Sequence, residues 1–115
     1  MSHEESNIQI ACIKYFRLQY PEYLCFSVPN GGIRTQKNAR ILKAEGLLAG
    51  VADLIIVLPN KVLFIEIKTE KGRQQQTQKD FQNKVEALEH DYYVCRSFDE
   101  FVQTVEQKIK KNKRR

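Results

Sequence analysis

Asp53, Glu66 and Lys68 stand where a β-rich apolar run would ordinarily carry Val or Ile. Asp53 follows Gly50-Val51-Ala52 and leads into Leu54-Ile55-Ile56-Val57-Leu58. Glu66 and Lys68 flank Ile67 at the end of the run that begins Val62-Leu63-Phe64-Ile65. Charges inside such runs are expensive unless they are paired or bound to metal. A pair of carboxylates and an amine on neighbouring strands suit a divalent cation and a phosphodiester. Asp53 and Glu66 are hard oxygen ligands matched to Mg²⁺ or Mn²⁺. The backbone carbonyl of Ile67, between Glu66 and Lys68, is a further metal oxygen. A cation held there would polarise a phosphate and make water a better nucleophile. Lys68 would orient that water and neutralise charge on the phosphate. This is the chemistry of a small metal-dependent nuclease. The bland alternative for Glu66-Ile67-Lys68 is an ion pair at a strand end near solvent.

The geometry of that trio depends on the strands. Side chains alternate faces along a strand, so Val62, Phe64, Glu66 and Lys68 share one face and Leu63, Ile65 and Ile67 the other. Asp53 joins Glu66 only under a parity condition. A two-residue Pro59-Asn60 connection pairs Leu58 with Lys61 and sets Asp53 opposite Glu66. A three-residue connection turns Asp53 away. Pro presets φ at the first turn position, and Asn tolerates the next.

The other elements follow from periodicity and punctuation. Residues 5–19 read as a helix with Ile8, Ala11, Cys12, Tyr15 and Phe16 on one face, ended by Pro21. Residues 25–28 form a short strand, closed by the turn signal Pro29-Asn30-Gly31-Gly32. A second helix over 36–45 turns Ala39 and Leu42 inward and is capped by Gly46. Strands are predicted over 53–58, 61–69 and 91–95, and a third helix over 77–89 with Phe81, Val85 and Leu88 on one face. Ser97 and Glu100 form a capping box for the last helix, whose inner face is Phe101, Val102, Val105 and Ile109. The fold class is α/β: a small mixed β-sheet flanked by helices, in the order α-β-α-β-β-α-β-α.

At 115 residues the chain is expected to form one domain over 1–107, with a basic C-terminal tail over 108–115. Nineteen Lys and Arg against 14 Asp and Glu bias it toward anionic partners. Arg34, Lys37 and Arg40 form a candidate basic rim, and Lys71 and Arg73 are placed to meet phosphates beside the trio. Cys12, Cys25 and Cys95 are odd in number and have no zinc spacing, which suits buried thiols in a reducing compartment. No apolar stretch approaches the ~20 residues that span a bilayer, and no secretory leader pattern is expected.

The stretch Leu42-Lys43-Ala44-Glu45-Gly46-Leu47-Leu48-Ala49-Gly50-Val51-Ala52-Asp53-Leu54-Ile55, followed by Phe64-Ile65-Glu66-Ile67-Lys68-Thr69-Glu70-Lys71-Gly72 and Gln78, resembles the VRR-NUC family of the PD-(D/E)XK nuclease superfamily. The resemblance runs from Glu5 to Phe101, and its G-V-x-D…E-I-K-T-x-K-G…Q pattern is specific where E-x-K alone is not. Ala52 stands where the family often has proline, which loses a rigid φ but no ligand. The resemblance implies a restriction-endonuclease-like core. It makes Asp53 and Glu66 the metal-binding acids and Lys68 the catalytic lysine. It makes Gln78 a helix glutamine that contacts the site or the DNA backbone. Glu5 becomes an N-terminal helix glutamate facing the metal, with Gln9 as its companion. Asn30-Gly31-Gly32 also matches a family-like segment.

The activity implied is a Mg²⁺- or Mn²⁺-dependent DNA endonuclease that prefers branched, flap or junction DNA. The resemblance is to a standalone, phage-type member acting in DNA repair as a homodimer. It is expected in the cytoplasm of a bacterial host, with neither a membrane partner nor a small organic cofactor. The alternatives are a nicking or restriction-like nuclease without junction preference, and a non-catalytic DNA-binding module.

Overall fold

A computed structural model describes residues 1–29 and 36–113, with the side chains of 36–38 excepted. The elements are α1 (His3–Gln19), β1 (Leu24–Ser27), α2 (Gln36–Ala44), β2 (Leu54–Leu58), β3 (Lys61–Ile67), α3 (Gln76–Ala87), β4 (Asp91–Cys95) and α4 (Phe98–Lys113). This is the expected α/β order, and the strands form a four-stranded sheet in the order β1-β2-β3-β4. The first two pairings are antiparallel and β3–β4 is parallel.

The β2–β3 hairpin has a two-residue connection, which meets the parity condition as a four-residue connection or a bulge would: Leu58 pairs with Lys61 and Leu54 with Ile65. Asn60 takes φ 59°, the left-handed conformation that Asn tolerates better than most residues. Asn112 from α4 donates to the Pro59 carbonyl at 3.0 Å and ties the turn to the last helix.

Strand alternation sorts the side chains into two layers. Leu54, Ile56, Leu58, Leu63, Ile65 and Ile67 point to one face, where Cys12 and Phe16 of α1 and Phe101, Val105 and Ile109 of α4 close the main core. On the other face Phe64, Tyr92 and Val94 pack with Ala52 and with Phe81 and Val85 of α3. The three thiols are buried and free; burial pushes Cys12 and Cys25 up to about 12 and Cys95 up to about 11.

Three local expectations shift. α1 begins before Glu5 because Ser2 caps it: Ser2 Oγ accepts from the Glu5 N–H at 3.1 Å, and Glu5 Oε1 accepts from the Ser2 N–H at 3.2 Å. Leu88 is exposed rather than inward, because α3 stops at Ala87 and Leu88 is its C-cap. Only half of the Ser97–Glu100 box forms in the expected way: Ser97 Oγ accepts from the Glu100 N–H at 3.1 Å, while the Glu100 carboxylate reaches back to the Arg96 N–H at 2.9 Å. The basic segment after 107 begins as helix: Ile109 lies in the core, and Lys108 pairs with Asp91 at 3.4 Å. Amphipathic spacing carries α4 to Lys113. Ala39 and Leu42 of α2 are half-buried, and Gly46 beyond it has φ 109°.

Candidate active site

The trio is assembled at the open end of the β2–β3 hairpin. Asp53 immediately precedes β2, and its carbonyl accepts from the Val28 N–H at 3.0 Å, so it stays in line with the sheet. Extending the hairpin register by one step sets it across from Glu66. Asp53 Oδ2 accepts from the Ile67 N–H at 2.7 Å. In an extended strand the N–H and C=O of one residue point to the same side. The Ile67 carbonyl therefore lies on the β2 side of its strand. Lys68 Nζ lies 3.6 Å from Glu66 Oε2.

Glu66 is the single fully buried charged side chain among the described residues, at 1% exposure. Its Oε1 accepts from the Tyr92 hydroxyl and, at 3.3 Å, from Gln74 Nε2. Its Oε2 has no hydrogen-bond partner. Burial pushes the Asp53 carboxyl above its ordinary value of 3.8; the Ile67 N–H and Lys68 oppose this, and the charges of Glu66 and Glu5 add to it.

Asp53, Ile67 and Lys68 border a cleft of about 840 Å³. Its walls include Glu5 and Gln9 of α1, Lys43 of α2, and Thr77 and Gln78 of α3. Gly50 makes this wall possible: it has φ +85°, and a Cβ there would stand 2.1 Å from the Thr77 carbonyl oxygen. Glycine alone allows the loop before Asp53 to touch the start of α3.

Glu5 and Gln78 reach the cleft but also have local work. The Glu5 carboxylate closes the α1 cap, and Gln78 Oε1 accepts from the Gln75 N–H at 2.8 Å. Gln9 Oε1 is buried without a hydrogen-bond partner. Lys71 and Arg73 are exposed on the loop after Lys68, and Arg40 is exposed on α2. Arg34, Asn30, Gly31, Gly32 and the Lys37 side chain lie outside the described residues.

Several participants escaped the sequence reading. Tyr92 and Gln74 hold Glu66. Lys43 lines the cleft although the basic rim was drawn from its neighbours. Arg96 shapes the turn after Lys68, its guanidinium donating to the carbonyls of Thr69 (2.8 Å), Glu70 (3.3 Å) and Gly72 (2.6 Å). Lys43 lies one helical turn beyond Arg40, a spacing that could have found it. The other three act across the fold and left no local signal.

The donor set fits a cation that keeps part of its water. Among the described residues, no three His, Cys, Asp or Glu side chains group with metal-binding spacing. The acids come as a pair, with one unsatisfied buried oxygen, Glu66 Oε2. Mg²⁺ is commonly bound through one or two carboxylates, with water completing the octahedron.

The sheet, its flanking helices and the paired acids beside a lysine define a nuclease-like α/β domain. The VRR-NUC domain model matches residues 3–99, and the chain belongs to that family. It is a nuclease-like, DNA-acting domain. One solved structure, described as "VRR_NUC domain protein", is 21% identical with TM-score 0.76, over 96% of this chain and 91% of that one. A second, described as "VRR_NUC domain", is 19% identical with TM-score 0.66, over 91% of this chain and 97% of that one. No curated protein matches the chain. No described helix is long and apolar enough to cross a membrane.

Proposed function

We propose that the protein is a divalent-metal-dependent DNA endonuclease that hydrolyses phosphodiester bonds, with branched or junction DNA as its preferred substrate. The observation that carries this reading is that Asp53 and Lys68 border the cleft, with the buried Glu66 carboxylate 3.6 Å from Lys68 Nζ, in a VRR-NUC fold. Asp53, Glu66 and the Ile67 carbonyl would hold Mg²⁺ or Mn²⁺, with Glu5 at the cleft wall as a further acid. Such a cation, when bound, supplies positive charge to the phosphate oxygens and eases deprotonation of water.

The chain's own groups do the rest. Lys68 orients the attacking water and neutralises charge on the phosphate. Lys43 attracts the DNA backbone into the cleft, and Arg40, Lys71 and Arg73 extend that attraction over the rim. Gln78 presents an amide to the backbone. Each copy carries one such trio while a duplex has two strands, so cutting both strands of a junction calls for a homodimer.

The test is cleavage in Mg²⁺ or Mn²⁺ of linear, nicked, flap, splayed-arm and four-way-junction DNA. Wild type is compared with Asp53→Ala, Glu66→Ala and Lys68→Ala. Each variant should lose at least about 100-fold in rate while still binding DNA. Equal cleavage by all four proteins overturns the site. Binding without cleavage by any of them, wild type included, makes the protein a DNA-binding module.

A further inference from the structure

We infer that Tyr92, backed by Gln74, is a positioning residue that fixes Glu66 as a single-oxygen ligand for the cation of the proposed reaction. The inference rests on that reading of the site and adds to it the groups that control its buried acid.

The parallel β3–β4 register sets Tyr92 beside Phe64 and Val94 beside Glu66. Tyr92 therefore lies on the α3 face, with its ring against Phe81 at a centroid distance of 6.2 Å. From there its hydroxyl donates along the sheet to Glu66 Oε1. A phenolic O–H is a hydrogen-bond donor near neutral pH.

Gln74 closes the arrangement from the loop before α3. Its Nε2 lies 2.9 Å from Gln82 Oε1, 3.3 Å from Glu66 Oε1 and 3.3 Å from the Tyr92 oxygen. An amide nitrogen has two hydrogens. One is committed to Gln82; the other is shared between Glu66 and Tyr92. The Gln82 amide in turn donates to Glu86 Oε2 at 3.4 Å. A chain of amides thus runs from the buried acid to the exposed side of α3.

The consequence is an asymmetric carboxylate. Oε1 accepts from two donors, which also restrain rotation about the last side-chain bond. Oε2 is left with no hydrogen bond, and Lys68 Nζ lies 3.6 Å from it. Bidentate binding would require Oε1 to give up its donors. The cation is therefore offered Oε2 alone, in an orientation set by Tyr92 and Gln74. Groups that orient a metal-binding residue in this way typically change affinity by about 10–100-fold when removed.

The test uses Mn²⁺ alone as probe, titrated calorimetrically into wild type, Tyr92→Phe and Gln74→Leu without DNA. Thermal unfolding of each protein is followed alongside. The expected result is folded variants that bind Mn²⁺ about 10–100-fold more weakly, with cleavage largely restored at saturating Mn²⁺. A purely structural role would lower the melting temperature without moving the Mn²⁺ affinity of the folded protein. Folded variants that bind Mn²⁺ as tightly as wild type overturn the inference. If Tyr92→Phe does not fold, Gln74→Leu, a change in a half-buried loop residue, decides on the same criterion. Wild type that binds Mn²⁺ beside unaffected variants sinks this inference alone; wild type that binds none sinks the cation-dependent reading as well.

Discussion

The two faces of the sheet are built to different ends. The α1–α4 face is dry: Phe16, Leu54, Ile56, Leu63, Ile65, Phe101 and Val105 are fully buried, and nothing charged interrupts them. The α3 face carries a smaller apolar cluster, centred on Ala52, Val85 and Tyr92, and beside it Asp53, Glu66 and Lys68. Strand alternation lets one β-hairpin serve both, because each successive residue turns to the opposite layer. The larger apolar core thus lies on the face away from the trio. The charged side is held by hydrogen bonds that set direction, since burying a carboxylate does not stabilise a fold by itself.

Four sets of substitutions break or sharpen this contrast. Phe101→Ala opens a cavity in the dry face and should cost about 3–5 kcal/mol, whereas Val85→Ala in the smaller cluster should cost about 1 kcal/mol. Urea unfolding of both variants checks this, and equal losses would erase the distinction between the faces.

Gly50→Ala forces a Cβ against the Thr77 carbonyl at a position with φ +85°. It should cost about 1–3 kcal/mol and lower cleavage as well, by moving α3 away from Asp53. A stability loss with unchanged cleavage would show that this contact does not position the site.

Asp53→Asn should raise the melting temperature of the metal-free protein near neutral pH, while abolishing cleavage. The sign follows from burial: the Asp53 pKa is higher in the folded state than its ordinary value of 3.8. Below that value both states are protonated and no penalty exists. As pH rises toward and through the raised folded value, ionisation favours the unfolded chain and the penalty grows. The gain from Asn should therefore shrink toward about pH 4. Melting curves across pH in EDTA test this, and a gain that grows on acidification contradicts it.

The smallest effects belong to the exposed rim. Lys71→Gln and Arg73→Gln should each reduce the salt slope of DNA binding by about 1 and leave unfolding unchanged. An unaltered slope measured by fluorescence anisotropy removes those residues from the interface.

Much of the hairpin was legible in the sequence. Pro59-Asn60 announced a two-residue turn; that turn sets the register, and the register sets the parity of Asp53 and Glu66. The apolar stripes of α1 and α4 likewise foretold the buried Cys12, Phe16, Phe101, Val105 and Ile109. Leu88 misled because periodicity does not see where a helix frays. Glu5 read as a metal-facing acid from the family resemblance, yet its nearest bond is the local cap with Ser2, a contact its spacing equally allowed. Gln74 left no local signal because its partners are Glu66, Gln82 and Tyr92, and none lies beside it in the chain.

By itself the chain determined what neighbours along it decide: where turns fall, which residues alternate inward, and that Asp53, Glu66 and Lys68 can meet. Those choices depend on backbone geometry over a few residues, so local residue types suffice to write them. Folding decided how far Glu66 is buried and which donors reach it. The Tyr92 hydroxyl meets that acid across 26 positions, through the parallel placement of β4 beside β3. No local rule encodes such a register, because it is chosen by the joint packing of α3 and α4 on opposite faces.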